Sequence, residues 1–195
     1  MYTIFGRIRA SLVVMAAAFG SGPAWSDVVK PGEEGELLNF LPALDGRHVC
    51  FARTYSADHL AQHPKQKVTE IQFRLAYHRF EPDGFFAEGQ RNYYFQVRAK
   101  LRDRDRFLST IGECSPAGNE ISCGVDCDGG GVVVKRTGKP GQILVSLDEY
   151  GYLRLSSGCG GGDEGGGLDL EPGEDDHNFL LTETGAQSCP HYDNW

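Results

Sequence analysis

Lys67–Phe80 (KVTEIQFRLAYHRF) and Gln90–Arg102 (QRNYYFQVRAKLR) decide the fold. In the first, Ile71, Phe73, Leu75 and Tyr77 alternate with Glu70, Gln72, Arg74 and His78. In the second, Tyr93, Phe95, Val97, Ala99 and Leu101 alternate with Asn92, Gln96, Arg98, Lys100 and Arg102. Alternation with period 2 marks strands that turn one face to a core and the other to water. Glu81-Pro82-Asp83-Gly84 carries turn chemistry between them and Gly89 closes the connection, so the two form a long antiparallel hairpin.

Shorter runs extend the pattern on both sides. Arg47–Thr54 precedes the hairpin; Phe107–Cys114, Glu120–Cys127, Gly131–Thr137, Gln142–Asp148, Tyr152–Ser156 and Asn178–Glu183 follow it. They recur at the spacing of an all-β domain and are separated by turn residues. Ser56–His63 reads as a helical turn, ended by Pro64, which disfavours helical geometry at the residue before it. The expected fold is therefore all-β: an antiparallel meander of about nine strands closing into a β-barrel, with a β-sandwich as the alternative. Closure is preferred because sequential hairpins need no long crossover. No repeat, linker or second core divides the chain.

The first residues read as a secretory leader. Arg7 and Arg9 precede an apolar run, Ala10–Phe19, and Ala24-Trp25-Ser26 has the small-x-small form of a cleavage site. The run is shorter than the ~20 residues that span a bilayer, so removal is expected rather than anchoring. Residues 1–26 are thus a signal peptide and 27–195 a single all-β domain, placed in the periplasm or secreted. Within it, 158–177 forms a Gly-rich acidic loop, expected to be long and solvated.

All six cysteines lie beyond the leader, and an even count in an oxidising compartment points to three disulfides. Cys114–Cys123 follows from counting outward from a two-residue turn at Gly118-Asn119, which sets these two opposite each other in a pair without backbone hydrogen bonds. There the α-carbons approach to ~4.5 Å, within disulfide range. Among the pairings open to the other four, Cys127–Cys159 would join two Gly-rich turns, and Cys50–Cys189 would tie the first strand to the C-terminus.

Charge narrows the partners. The leader holds two of the nineteen Lys and Arg residues and no acid, which leaves 17 basic against 27 acidic residues, a net of −10. That balance argues against nucleic acid and anionic membrane as general partners, and with so short an apolar run no membrane insertion is expected. It is uneven: Arg47–Arg106 carries a net +5 and Phe107–Trp195 a net −11. In the basic half Arg98, Lys100, Arg102, Arg104 and Arg106 stand at every second position. On a continued strand they would line one outer face, either as protection against edge-to-edge pairing or as a docking surface for an anionic envelope polysaccharide or acidic protein.

No catalytic motif occurs, and neither a catalytic residue nor a bound cofactor is expected. Asp126-Cys127-Asp128-Gly129 resembles a fragment of a calcium loop. Asp126 and Asp128, joined by Glu174, Asp175 and Asp176, are the residues calcium would use; flexible acidic solvation is the alternative. His59 and His63 would share a helical face for zinc, but Pro64 interrupts it and no third ligand is evident. Phe73, Tyr77, Tyr93, Phe95 and Phe107 would line a ligand-holding barrel or fill a packed one, and packing is the rule for small barrels.

His63-Pro64-Lys65-Gln66-Lys67-Val68, Gly89-Gln90-Arg91-Asn92-Tyr93-Tyr94-Phe95, Gly112-Glu113-Cys114, Cys127-Asp128-Gly129-Gly130-Gly131 and Pro172-Gly173-Glu174-Asp175-Asp176 form a combination that resembles an uncharacterised family of small exported bacterial proteins. The resemblance covers nearly all of the exported part. It implies a periplasmic protein and brings no activity with it, hence no functional residues. The plan is also similar to lipocalin-like and other calycin barrels, a likeness of fold that says nothing of ligands. The expected function is non-enzymatic: a monomer binding a macromolecular partner of the cell envelope, in the manner of small stapled barrels that inhibit basic hydrolases through an acidic surface. A lipocalin-like carrier of small molecules is the second reading and a hydrolase of unfamiliar type the third.

Overall fold

The computed structural model describes residues 29–30, 32–84, 89–156 and 167–190. The expected leader lies outside them, and so does Cys159. Ten strands are present among the described residues: β1 (His48–Thr54), β2 (Val68–Arg79), β3 (Arg91–Leu101), β4 (Phe107–Ala117), β5 (Glu120–Gly124), β6 (Gly131–Arg136), β7 (Gln142–Ser146), β8 (Leu153–Leu155), β9 (Leu168–Leu170) and β10 (Asn178–Thr184). Two short helices, α1 (Leu37–Phe40) and α2 (Ala57–Gln62), flank β1. β1 to β7 and β10 close into an eight-stranded barrel in which every neighbour is antiparallel. The barrel is thus the up-and-down meander expected, not the sandwich.

Register places one alternating set of side chains inside. Phe51 lies opposite Phe73, Phe73 opposite Val97, Leu75 opposite Phe95, and Val134 opposite both Ile121 and Val145. These residues, with Tyr93, Phe179 and Leu181, are buried in one apolar cluster. Each large side chain so buried stabilises the fold by ~1.5–3 kcal/mol. Tyr77, Tyr93, Phe73 and Phe95 join this packing. Phe107 does not: it lies outside the cluster, beneath the Arg98 guanidinium at 4.4 Å.

Both barrel ends are covered by chain that the alternation pattern does not reveal. At one end Val29, Leu37, Phe40 and Leu41 enter the core, and the buried Tyr93 hydroxyl donates to the Leu41 carbonyl at 3.0 Å. At the other end β8 and β9 form a separate two-stranded sheet whose Leu153, Leu155 and Leu170 are buried with Leu147. The 152–156 run, read as a barrel strand, is therefore a lid strand.

The described part of the acidic segment corrects the expectation of a solvated loop. Leu168–Leu170 alternates and pairs with β8. Beyond it Asp176 is only 1 % exposed, and its carboxylate accepts from the backbone N–H of Lys67 and, at 3.2 Å, of Val68. Acidic composition reads as solvation until a carboxylate finds orphaned backbone donors at the start of β2. Residues 158–166 of this segment lie outside the described residues.

Two disulfides are found among the described residues. Cys114 is bonded to Cys123 with α-carbons 4.0 Å apart, directly opposite in the β4–β5 register, and both are buried. Gly118, at φ +65°, supplies the left-handed first position of the turn between them. Cys50 is bonded to Cys189 across 139 residues of sequence. The third expected bridge, Cys127–Cys159, involves a residue outside the described set.

Two substitutions test this packing. Removing the Asp176 carboxylate in Asp176→Ala orphans two backbone donors, and urea denaturation should show a loss of about 2–4 kcal/mol, against under ~0.5 kcal/mol for exposed Glu174→Ala. A Cβ on Gly112 would stand 2.0 Å from the Gly124 carbonyl and 2.7 Å from the Phe95 ring. Because backbone cannot yield there, Gly112→Ala should lower stability by about 2–3 kcal/mol in the same measurement; a neutral effect would mean that β4 and β5 approach less closely.

Candidate functional site

Side chains on the outer face of β3, β4 and β5 point away from the core, yet those nearest the Val125–Gly130 turn are not simply solvated. They floor a groove of about 900 Å³ lined by Asn92, Glu113, Ser115, Ser122, Asp126 and Asp128, with Tyr150 and Tyr152 beside them and Val29 and Glu33 at the α1 end. Tyr94 stands opposite Glu113 in the β3–β4 register, and Glu113 opposite Gly124 in the next. Rigid strands therefore set the positions of the floor residues.

The wall depends on glycine. A Cβ on Gly130 would meet the Tyr152 carbonyl at 2.1 Å, and one on Gly131 would meet the Cys123 carbonyl at 2.4 Å and the Tyr150 ring at 2.9 Å. The run Gly129-Gly130-Gly131 thus lets the segment after β7 lie against β5 and β6. Tyr150 and Ser122 share a 2.6 Å hydrogen bond, and the Tyr152 hydroxyl donates to the Asp128 carbonyl. Cys127 and Asp128 take left-handed φ values of 58° and 57°, turning the chain sharply at the groove rim.

At the floor, Asn92 is 4 % exposed. Its Nδ2 donates to Glu113 Oε1 at 2.7 Å and to the Tyr94 hydroxyl at 3.1 Å. A carboxylate accepts and cannot donate, so Glu113 fixes which end of the amide faces it. Asn92 Oδ1 is then left buried without a partner. Burial pushes the Glu113 carboxyl up; the Asn92 hydrogen bond opposes this, and the Asp126 charge adds to it. Burial likewise raises the Tyr94 hydroxyl, to about 12, so it remains a neutral phenol at physiological pH.

The calcium candidates are not brought together. Asp126 and Asp128 line the groove, whereas Glu174 pairs with Lys65, Asp175 with His63 at 3.2 Å, and Asp176 with the β2 backbone. Among the described residues no three His, Cys, Asp or Glu side chains converge to hold a metal ion. His59 and His63 stack at 4.3 Å and are engaged by Gln66 and Asp175 respectively.

The basic ladder is broken by the fold. β3 ends at Leu101, so Arg102, Arg104 and Arg106 do not continue its outer face. Arg102 instead donates to the carbonyls of Gln66, Leu60 and His63 at 2.5, 2.6 and 2.8 Å, fastening α2 to the β3 terminus. Arg98 donates to Gln72 at 3.0 Å and covers Phe107, while Lys100 stands opposite Glu70. These partners are as well suited to holding the surface together as to docking.

Comparison with known proteins finds no matching family, no matching curated protein and no matching solved structure. Sequence reasoning missed Asn92, Tyr94, Glu113, Ser122, Tyr150 and Tyr152 as a set. The only available signal was outward parity on three successive strands, which register alone turns into adjacency.

Glu113 should reveal itself through pH. Its native carboxyl is raised above the unfolded value of 4.5, so the native state binds the proton more tightly and gains stability as pH falls. Glu113→Gln, neutral and close in shape, should be more stable than the parent at pH 7, and the difference should shrink toward pH 4. Urea midpoints at the two pH values measure this; an equal difference at both would remove desolvation as the cause.

Proposed function

We propose that this is an extracytoplasmic binding protein that engages a macromolecular partner through the groove on the outer wall of β4 and β5. Several observations support the reading. Disulfides belong to an oxidising compartment, and two are present among the described residues. No described helix is long and apolar enough to cross a membrane. The resemblance to exported bacterial proteins points the same way, toward the periplasm or secretion.

The observation that carries the proposal is the position of the concavity. The barrel interior is occupied by the protein's own side chains, with Phe73, Phe95, Tyr93 and Phe179 at or below 1 % exposure. A lipocalin-like carrier needs that space for its ligand. The groove runs along the outer wall among carboxylates and tyrosines and meets core residues at Val29, Tyr93 and Cys114; its tyrosines are of the residue type that protein interfaces favour. A hydrolase would draw on the same Glu113 and Asp126. Glu113, however, is held by Asn92 and Tyr94, an arrangement suited to fixed recognition more than to proton exchange with a substrate.

The test is retention from envelope extract on the immobilised domain, residues 27–195. Wild type and Arg98→Ser/Lys100→Ser should hold the same partner, and Glu113→Gln/Asp126→Asn should hold at least about tenfold less. Equal retention by the groove variant, or loss in the β3 variant alone, would move the binding surface elsewhere.

A further inference from the structure

Parity turns Gln72, Arg74 and Gln96 to the outside of the barrel, yet they are only 8, 5 and 5 % exposed. Arg74 stands between Cys50 of β1 and Gln96 of β3 in the register. Its Nε is sealed from solvent without a hydrogen-bond partner; its two Nη atoms are not sealed, so the charged end still opens at the surface. Among the described residues no carboxylate pairs with it. The nearest acids are engaged elsewhere: Glu70 accepts from Gln72, Glu113 from Asn92, and Asp45 from the Arg79 backbone beside His78. Burial pulls the Arg74 guanidinium below its usual range, and no neighbouring charge opposes this. A cation so placed without a counterion is a costly arrangement, which a carboxylate relieves.

The chain past Pro190 holds one within reach. Cys189 is bonded to Cys50, the neighbour of Arg74 across the β1–β2 ladder, and its Sγ lies 3.9 Å from the Phe73 carbonyl of β2. The C-terminal segment therefore passes from β10 over the outside of β1 toward β2. It continues as His191-Tyr192-Asp193-Asn194-Trp195, outside the described residues, with Asp193 its one acid. Five extended residues span ~17 Å and strands lie ~4.8 Å apart, so this length crosses β2 and β3.

We propose that residues 191–195 dock as a strap on the outer wall of β2 and β3, with the Asp193 carboxylate on the Nη atoms of Arg74. Two unpaired Nη atoms offer the fork that a carboxylate meets with both oxygens. Tyr192 and Trp195 bring apolar area to a wall that includes half-buried Ile111, opposite Gln96 on β4. The strap extends the hold of Cys50–Cys189 from β1 to β3. It does not depend on the groove being a binding surface.

Tryptophan fluorescence tests it. The chain has two tryptophans, and Trp25 belongs to the expected leader, so in the 27–195 domain Trp195 reports on the segment alone. Its emission should be blue-shifted and poorly quenched by acrylamide. Arg74→Gln and Asp193→Asn should each move the emission to that of a hydrated indole and raise the quenching constant by on the order of threefold or more. Asp193→Asn leaves every barrel strand intact and serves as the second variant should Arg74→Gln disturb β2. Exchanging the charges, Arg74→Asp with Asp193→Arg, should restore the protection that either change alone removes. Hydrated emission in the parent, protected emission indifferent to Asp193→Asn, or no recovery in the exchanged pair overturns the proposal. Protection that fades on dilution would place the segment on a second copy and overturns it as well.

Discussion

Closure of the barrel rests on its narrowest seam, the contact of β1 with β10. Only Cys50–Thr184, Phe51–Glu183 and Ala52–Thr182 pair there, while the neighbouring β1–β2 ladder runs through seven pairs. The two strands lie at opposite ends of the domain's sequence, so bringing them together carries the largest loop-closure cost in the molecule. Cys50–Cys189 bridges this seam. A cross-link of that span restricts the unfolded chain strongly, with chain-entropy arguments giving ~4–5 kcal/mol. Without closure β1 and β10 would be open edges, and the inner face between them would lose its cover.

The interior was legible because alternation and burial are the same fact seen twice. Ile71, Phe73, Leu75 and Tyr77 announce an inward face, and the structure buries all four. Cys114–Cys123 was legible because a two-residue turn leaves no freedom in the pairs that follow it. The plugs were not. Leu37, Phe40 and Leu41 are too few to show a period, and Leu168 and Leu170 are lost among glycines and acids. Their burial depends on where the barrel mouth happens to be, which is a property of the closed sheet.

The groove was less legible still, for a different reason. Asn92, Glu113 and Ser122 are each an unremarked polar residue on an outward face, and strand register makes them neighbours. The basic ladder shows the converse error: a regular spacing in sequence implied one surface, but the strand ended after two of its members. Arg102, left at that end, meets three carbonyls of the α2 region, a structural use that no spacing rule anticipates.

β7 and β10 lie side by side, with Ser146 directly opposite Asn178. The chain could have passed from one to the other by a tight hairpin. It instead leaves the barrel at Ser146 and returns at Asn178, supplying Tyr150, Tyr152, β8 and β9 on the way. Topologically this detour is a graft. Its groove-facing residues can change without altering any barrel ladder so long as Leu153, Leu155 and Leu170 still cover the barrel end and Asp176 still holds the start of β2, so the specificity of such a scaffold can diversify while its shell stays constant.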